Sequence, residues 1–218
     1  MISLVVFDCD GTLVDGQSAI CDAMEIAFQA AGLPPPERNA VRRVVGLSLP
    51  QAMARLAPDA HPDSHTIALE TYKASFRSAR AGGRLEEPLY PGIAALLTRL
   101  HAAGNVLGIA TGKSDRGLAA TLAQHGIAGL FATLQTADRH PSKPHPAMLE
   151  AALFEADARP GDAVMIGDTV FDIAMAHAAG VRAIGVAWGY HEPAELLAAG
   201  AAGVADSAEK LEELIDAR

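Results

Sequence analysis

Four short stretches of the chain carry reactive side chains, and three of them directly follow apolar runs. The first is Asp8-Cys9-Asp10-Gly11-Thr12, which follows Leu4-Val5-Val6-Phe7. The second is Thr111-Gly112-Lys113-Ser114, after the run 106–110. The third is Lys143, held in Ser142-Lys143-Pro144-His145-Pro146, and the fourth is Gly167-Asp168 with Asp172, after the run 163–166. Buried carboxylates are costly unless they are paired or bound to a metal, so two acids at the end of an apolar run need a reason. Asp8 and Asp10 share strand parity and point to one side while the chain stays extended. Asp168 and Asp172, four apart at a strand-to-helix turn, can face them. Carboxylates within ~4–6 Å raise one another's pKa values unless a cation lies among them. Mg²⁺ suits such a site, because it takes oxygen ligands from one or two carboxylates and a substrate phosphate. Thr111-Gly112-Lys113, leading into a helix, offers a hydroxyl and backbone N–H groups to phosphate oxygens. Lys143 balances the acids. A carboxylate nucleophile, a second carboxyl group, a divalent cation and a phosphate cradle point to phosphoryl transfer through an aspartyl-phosphate.

These groups need elements to position them. The runs at 4–7, 106–110, 163–166 and 181–189 read as strands without strict alternation. Apolar residues three or four apart predict helices over 92–103, 115–125, 146–156 and 170–179. Strands of that kind separated by helices predict an α/β fold with a doubly wound parallel sheet covered on both faces. In such a sheet the ligand site lies beyond the carboxyl ends of the strands, where the first, second and fourth clusters fall. Residues 16–85 break the alternation and read as helices over 17–31, 37–45, 48–57 and 63–80. The expected organisation is therefore a core domain of 1–15 and 86–218 with an inserted helical cap domain of 16–85, hinged at about 14–17 and 81–90.

Composition narrows the function classes. The chain has 218 residues, half of them hydrophobic, with 17 Lys and Arg against 26 Asp and Glu for a net charge of −9. That balance disfavours a nucleic-acid partner, which needs clustered cations, yet a bound cation still permits a small anionic substrate. Two cysteines, Cys9 and Cys21, make no disulfide framework. No apolar run reaches membrane-spanning length, and the N-terminus enters a strand rather than a signal sequence. The expectation is a cytoplasmic protein, monomer or homodimer, with no nucleic-acid or membrane partner. Cys9 alternates away from the acids and reads as core. His140 and His145 read as loop residues, and Trp188-Gly189-Tyr190 as packing beside the functional rim.

The motifs in this order resemble the haloacid dehalogenase superfamily of phosphohydrolases, in its subclass with a small helical cap. Asp8-Cys9-Asp10-Gly11-Thr12 matches the first motif, Thr111 the second, Lys143 the third and Gly167-Asp168 with Asp172 the fourth. The resemblance implies Asp8 as nucleophile and Asp10 as general acid and base. It implies Mg²⁺ held by the Asp8 carboxylate, the Asp10 backbone carbonyl and Asp168, with Asp172 supporting the metal waters or Lys143. It further implies that Thr111, Gly112 and Lys143 bind the phosphoryl group. Dehalogenase members lack an acid two residues after the nucleophile, so Asp10 favours phosphate esters. The motifs "ATGKS", "KPHP" and "WGY" are most similar to the phosphoglycolate phosphatase group, which makes 2-phosphoglycolate the expected substrate. Pyrophosphatases and sugar-phosphate phosphatases or mutases share the scaffold. The mutases carry an arginine where this chain has Leu49. A phospho-receiver module uses similar residues in a different order and without a cap. On the cap side, residues 43–48, with Arg43 and Gly46, are the expected specificity element.

Overall fold

The computed structural model describes residues 2–217. Six parallel strands form one sheet in the order β3-β2-β1-β4-β5-β6. They are β1 Leu4–Phe7, β2 Val106–Thr111, β3 Phe131–Thr136, β4 Ala163–Gly167, β5 Arg182–Val186 and β6 Val204–Ala205. Between β1 and β2 run α1 Gln17–Ala30, α2 Arg38–Arg42, α3 Leu49–Leu56, α4 Pro62–Ala81 and α5 Ile93–Ala102. The remaining helices are α6 Asp115–Gln124, α7 Ala147–Glu155, α8 Val170–Ala178, α9 Pro193–Ala198 and α10 Ala208–Asp216.

Both faces of the sheet are covered, which is why its strands read as continuous apolar runs. In β1, Val5 and Phe7 pack with Ile93 and Leu97 of α5, Leu118 of α6 and Leu211 of α10. Leu4 and Val6 face the other way, onto Met148 of α7, Ile173 of α8 and Leu196 of α9. Cys9 joins the first of these clusters, as its parity predicts. The chain steps outward from β1 to β2 and β3, then returns to β1's other side for β4. The carboxyl ends of β1 and β4 therefore flank the topological switch point. Asp8 and Asp168 are the residues that follow those two ends.

Helices α1 to α4 form a block with its own apolar centre of Ile20, Met24, Phe28, Val41, Met53 and Ala68. The two connections to the sheet run side by side. Asp15 donates its N–H to Pro88 O at 2.8 Å, and Tyr90 donates to Leu13 O at 3.0 Å. Asp15, Pro88 and Tyr90 fall in the stretches expected as hinges, and Leu13 lies just before the first of them. None of the described helices is long and apolar enough to cross a membrane.

Expected helix ends agree to within a residue or two, the ordinary uncertainty of helix boundaries, except at α2. That helix stops at Arg42 because the chain turns through Gly46, whose φ of +96° suits glycine. Strands β3 and β6 and helices α9 and α10 were not anticipated. β3 mixes Thr and Gln with Phe and Leu, and β6 has only two residues, so neither gives an apolar run.

Phe28 is 2% exposed at the centre of the helical block. Phe28→Ala is expected to destabilise the protein by about 3–5 kcal/mol through lost burial and an unfilled cavity. Urea unfolding measures this; a loss below about 1 kcal/mol would contradict the packing described.

Candidate active site

Asp8, Asp168 and Asp172 converge beside the switch point. One carboxylate oxygen of each lies within 4.8 Å of the others, and all three residues are buried. Lys143, fully buried, reaches into the cluster from the segment before α7. Its Nζ donates to Asp172 Oδ1 at 2.6 Å and lies 3.0 Å from Asp8 Oδ1. Thr169, the N-cap of α8, completes the hold on Asp172: its hydroxyl and N–H reach Oδ2 at 2.7 and 3.1 Å. Asp172 is thereby fixed by protein donors on both oxygens. Asp168 is fixed as well, by the Thr12 hydroxyl at 2.8 Å and the Tyr190 N–H at 2.9 Å. Gly11 allows that approach. Its φ is +83°, and a Cβ there would fall 2.2 Å from Asp168 Oδ2.

Asp8 is held differently. Its Oδ1 accepts the Cys9 N–H at 2.6 Å, while Oδ2 is buried with no partner. Burial raises the Asp8 pKa and Asp172 adds to the rise, while Lys143 works against both. Burial, with Asp172 and Asp8 as neighbours, holds Asp168 well above the ordinary aspartate range. Burial opposes the charge on Lys143, but Asp172 and Asp8 more than offset it and keep the ammonium protonated. Converging acids with one buried, unpartnered oxygen suit a hard divalent cation.

The Asp10 side chain turns away from this cluster. It meets Lys113, whose Nζ lies 2.9 Å from Asp10 Oδ1 and donates to Glu87 Oε1 at 2.8 Å. Glu87 is fully buried, and its other oxygen takes Arg80 Nη2 at 2.6 Å and the Thr121 hydroxyl at 3.2 Å. Burial raises the Asp10 pKa and Glu87 reinforces the rise, against the pull of Lys113. Thr111, buried at the end of β2, accepts the Lys113 N–H at 3.3 Å.

A cavity of about 660 Å³ lies over Asp8, Asp10, Thr111 and Gly112, roofed by the helical block. The segment 44–48 closes one side. A Cβ on Gly112 would lie 2.5 Å from Leu47 O, and Ser48 donates its N–H to Ser142 Oγ at 2.7 Å. Gly46 rests against Thr169, where a Cβ would come within 3.1 Å of Oγ1.

The family model of haloacid dehalogenase-like hydrolases matches residues 5–186, a span holding Asp8, Asp10, Thr111, Lys143, Asp168 and Asp172. The chain belongs to that family. It is 37% identical to the probable phosphatase IndB of Dickeya dadantii, over 91% of this chain and 87% of that protein. It is 34% identical to a phosphoglycolate phosphatase of Rhodospirillum rubrum, over 91% of this chain and 86% of that one. Among solved structures, a haloacid dehalogenase-like hydrolase from Streptococcus pneumoniae superposes with a TM-score of 0.85 at 27% identity, covering 99% of each chain. This hydrolase is thus an enzyme of phosphatase type.

Within the hydrolase, Asp8, Asp168, Asp172 and Lys143 form one cluster, while Asp10, Thr111, Gly112 and Gly46 border the cavity beside it. Arg43 corrects the expectation made of it. It is not among the residues lining the cavity; its guanidinium pairs with both carboxylate oxygens of Glu195 on α9, at 2.6 and 2.7 Å. A bidentate pair of that kind occupies the fork that a phosphate would need. Sequence reasoning missed the Lys113 side chain and Glu87. Lys113 was read for its backbone alone, and Glu87 sits in a Pro-rich connection where glutamate usually meets water. The Thr12 hydroxyl was visible within the first motif but had no role assigned.

Glu87 gives this hydrolase a testable charge. Burial works to raise its pKa, but Lys113 and Arg80, with the Thr121 hydrogen bond, bring it below the ordinary value of 4.5. A depressed carboxylate pKa contributes stability above its unfolded value, and that stability is lost as pH falls through the folded value. Glu87→Gln should cost about 1–3 kcal/mol at pH 7, with the gap to wild type narrowing as pH drops below 4.5. Denaturant titrations across pH measure it; a gap independent of pH would contradict the pairing.

Proposed function

We propose that the chain is a Mg²⁺-dependent phosphomonoester hydrolase that works through an aspartyl-phosphate on Asp8, with residues 16–85 acting as a cap domain over a core of 1–15 and 86–218. The observation that carries this reading is the state of Asp8. It is buried, set against Lys143, and offers one oxygen with no partner beneath a cavity. Asp8, Asp168 and the Asp10 backbone carbonyl would hold the metal, with Asp172 spent on Lys143. When bound, Mg²⁺ neutralises the clustered acids and stabilises charge on the phosphoryl oxygens.

The chain's own residues account for the rest. Asp8 attacks phosphorus as a carboxylate, forming an acyl-phosphate bond while the ester P–O bond breaks. Lys143 and the Thr111 hydroxyl, with the N–H groups of Gly112 and Lys113, hold the phosphoryl oxygens. Asp10 starts protonated, as burial and Glu87 favour, and gives its proton to the departing alkoxide. It then takes a proton from the water that attacks phosphorus, releasing phosphate and restoring Asp8. Two acids two residues apart thus do opposite work because their side chains meet different neighbours. The names of the relatives make 2-phosphoglycolate the reference substrate among small esters.

Activity should vanish in EDTA and return with Mg²⁺; full turnover after exhaustive chelation would end this reading. Asp10→Asn should lose nearly all turnover of alkyl esters, whose alkoxides leave poorly without a proton. A nitrophenyl ester needs no such proton, so the variant should release about one nitrophenol per active site in a burst and then stall. Equal loss on both substrates with no burst would show that Asp10 acts only structurally.

A further inference from the structure

The cavity is lined by both polar and apolar groups. The reacting end is polar, with Asp8, Asp10 and Thr111. The apolar walls supplied by the helical block are Met24, Val45, Leu47, Leu69, Tyr72 and Phe76, and the same block also brings Ser48, Lys73, Arg77 and Arg80 to the lining. The Tyr72 and Phe76 rings pack against each other with centroids 4.9 Å apart. Leu49 adds to this lining as well. Among the described residues, no buried polar or charged side chain falls between positions 17 and 86.

The cations that border the cavity are already committed or exposed to solvent. Arg80 is bound to Glu87, and Lys113 sits between Glu87 and Asp10. Lys73, Arg77 and Arg116 are exposed. A carboxylate on the leaving group, as in 2-phosphoglycolate, would therefore be stripped of water among apolar side chains with no buried, uncommitted cation to receive it, which is costly. Size argues the same way. At about 30 Å³ per water-sized group, the roughly nine non-hydrogen atoms of 2-phosphoglycolate fill less than half of the 660 Å³.

Resting on the phosphatase reading above, the geometry points to a substrate whose leaving group is predominantly apolar and several carbons larger than glycolate. The phosphoryl group sits on Asp8 and Lys143, and the apolar body lies along the α1 and α4 wall under the Tyr72–Phe76 pair. Water leaves an apolar cavity readily, so the body of the substrate supplies binding energy in proportion to the area it covers.

Primary alkyl phosphates test this, because their alkoxides differ little in basicity while their apolar area grows. Phosphate release by the wild-type chain with Mg²⁺ is compared for ethyl phosphate, hexyl phosphate, 3-phenylpropyl phosphate and 2-phosphoglycolate. Each methylene buried at ~0.8 kcal/mol raises kcat/KM about fourfold. Hexyl and 3-phenylpropyl phosphates are expected to exceed both ethyl phosphate and 2-phosphoglycolate by at least about tenfold. Phe76→Ser is expected to shrink the ratio of 3-phenylpropyl to ethyl phosphate severalfold, and an unchanged ratio would overturn the placement. If 2-phosphoglycolate equals or surpasses the long esters, the inference is wrong while the phosphatase reading stands. If none of the four esters is hydrolysed, the phosphatase reading fails and takes the inference with it.

Discussion

Three carboxylates buried within 4.8 Å of one another are the constraint on which the site depends. Such a cluster repels itself and resists ionisation. Lys143 answers part of that repulsion, and its position is in turn fixed by Asp172 and the Thr169 cap of α8. Asp168 is held by Thr12 and Tyr190, so in two of the three acids each carboxylate oxygen has a protein donor. Asp8 alone keeps an oxygen without a partner. The fold supplies the rigidity this requires. Asp8 and Asp168 follow the ends of paired strands β1 and β4, whose backbones are locked in register.

A second charged network connects the helical block to the core. Arg80 at the end of α4, Glu87 in the return connection and Lys113 after β2 form one chain of contacts that ends on Asp10. The residue proposed as general acid is therefore set by the lysine of the second motif stretch and by a glutamate outside all four. The segment 44–48 seals the same cavity from the other side, through Gly112 and Ser142. Closure of the block and the surroundings of Asp10 are in this way parts of a single arrangement, which fits a site proposed to exclude bulk water while an acyl-phosphate forms.

Much of this was legible in the sequence, for physical reasons. Runs such as Leu4–Phe7 and Ala163–Gly167 are buried on both sides and advertise themselves, and acids directly after them mark a rim. The helical interruption showed through a change of periodicity. What stayed hidden depended on contacts between distant positions. Arg43 looked available because its partner, Glu195, lies 152 residues away. Glu87 beside Glu86 carried no sign of which one would be buried, and the direction of the Lys113 side chain follows from that burial. β3 escaped because its polar residues broke the apolar run.

The central claim is that Asp8 itself carries the phosphoryl group. The most direct measurement is to quench the enzyme during turnover of a phosphate ester, reduce with borohydride and sequence the peptide spanning residues 5–15 by mass spectrometry. Borohydride converts an aspartyl-phosphate to homoserine and leaves a free aspartate unchanged. The account predicts homoserine in place of Asp8, with Asp10 intact and no conversion when substrate is omitted. An unmodified Asp8 under conditions of rapid turnover, or conversion at Asp10 instead, would contradict it.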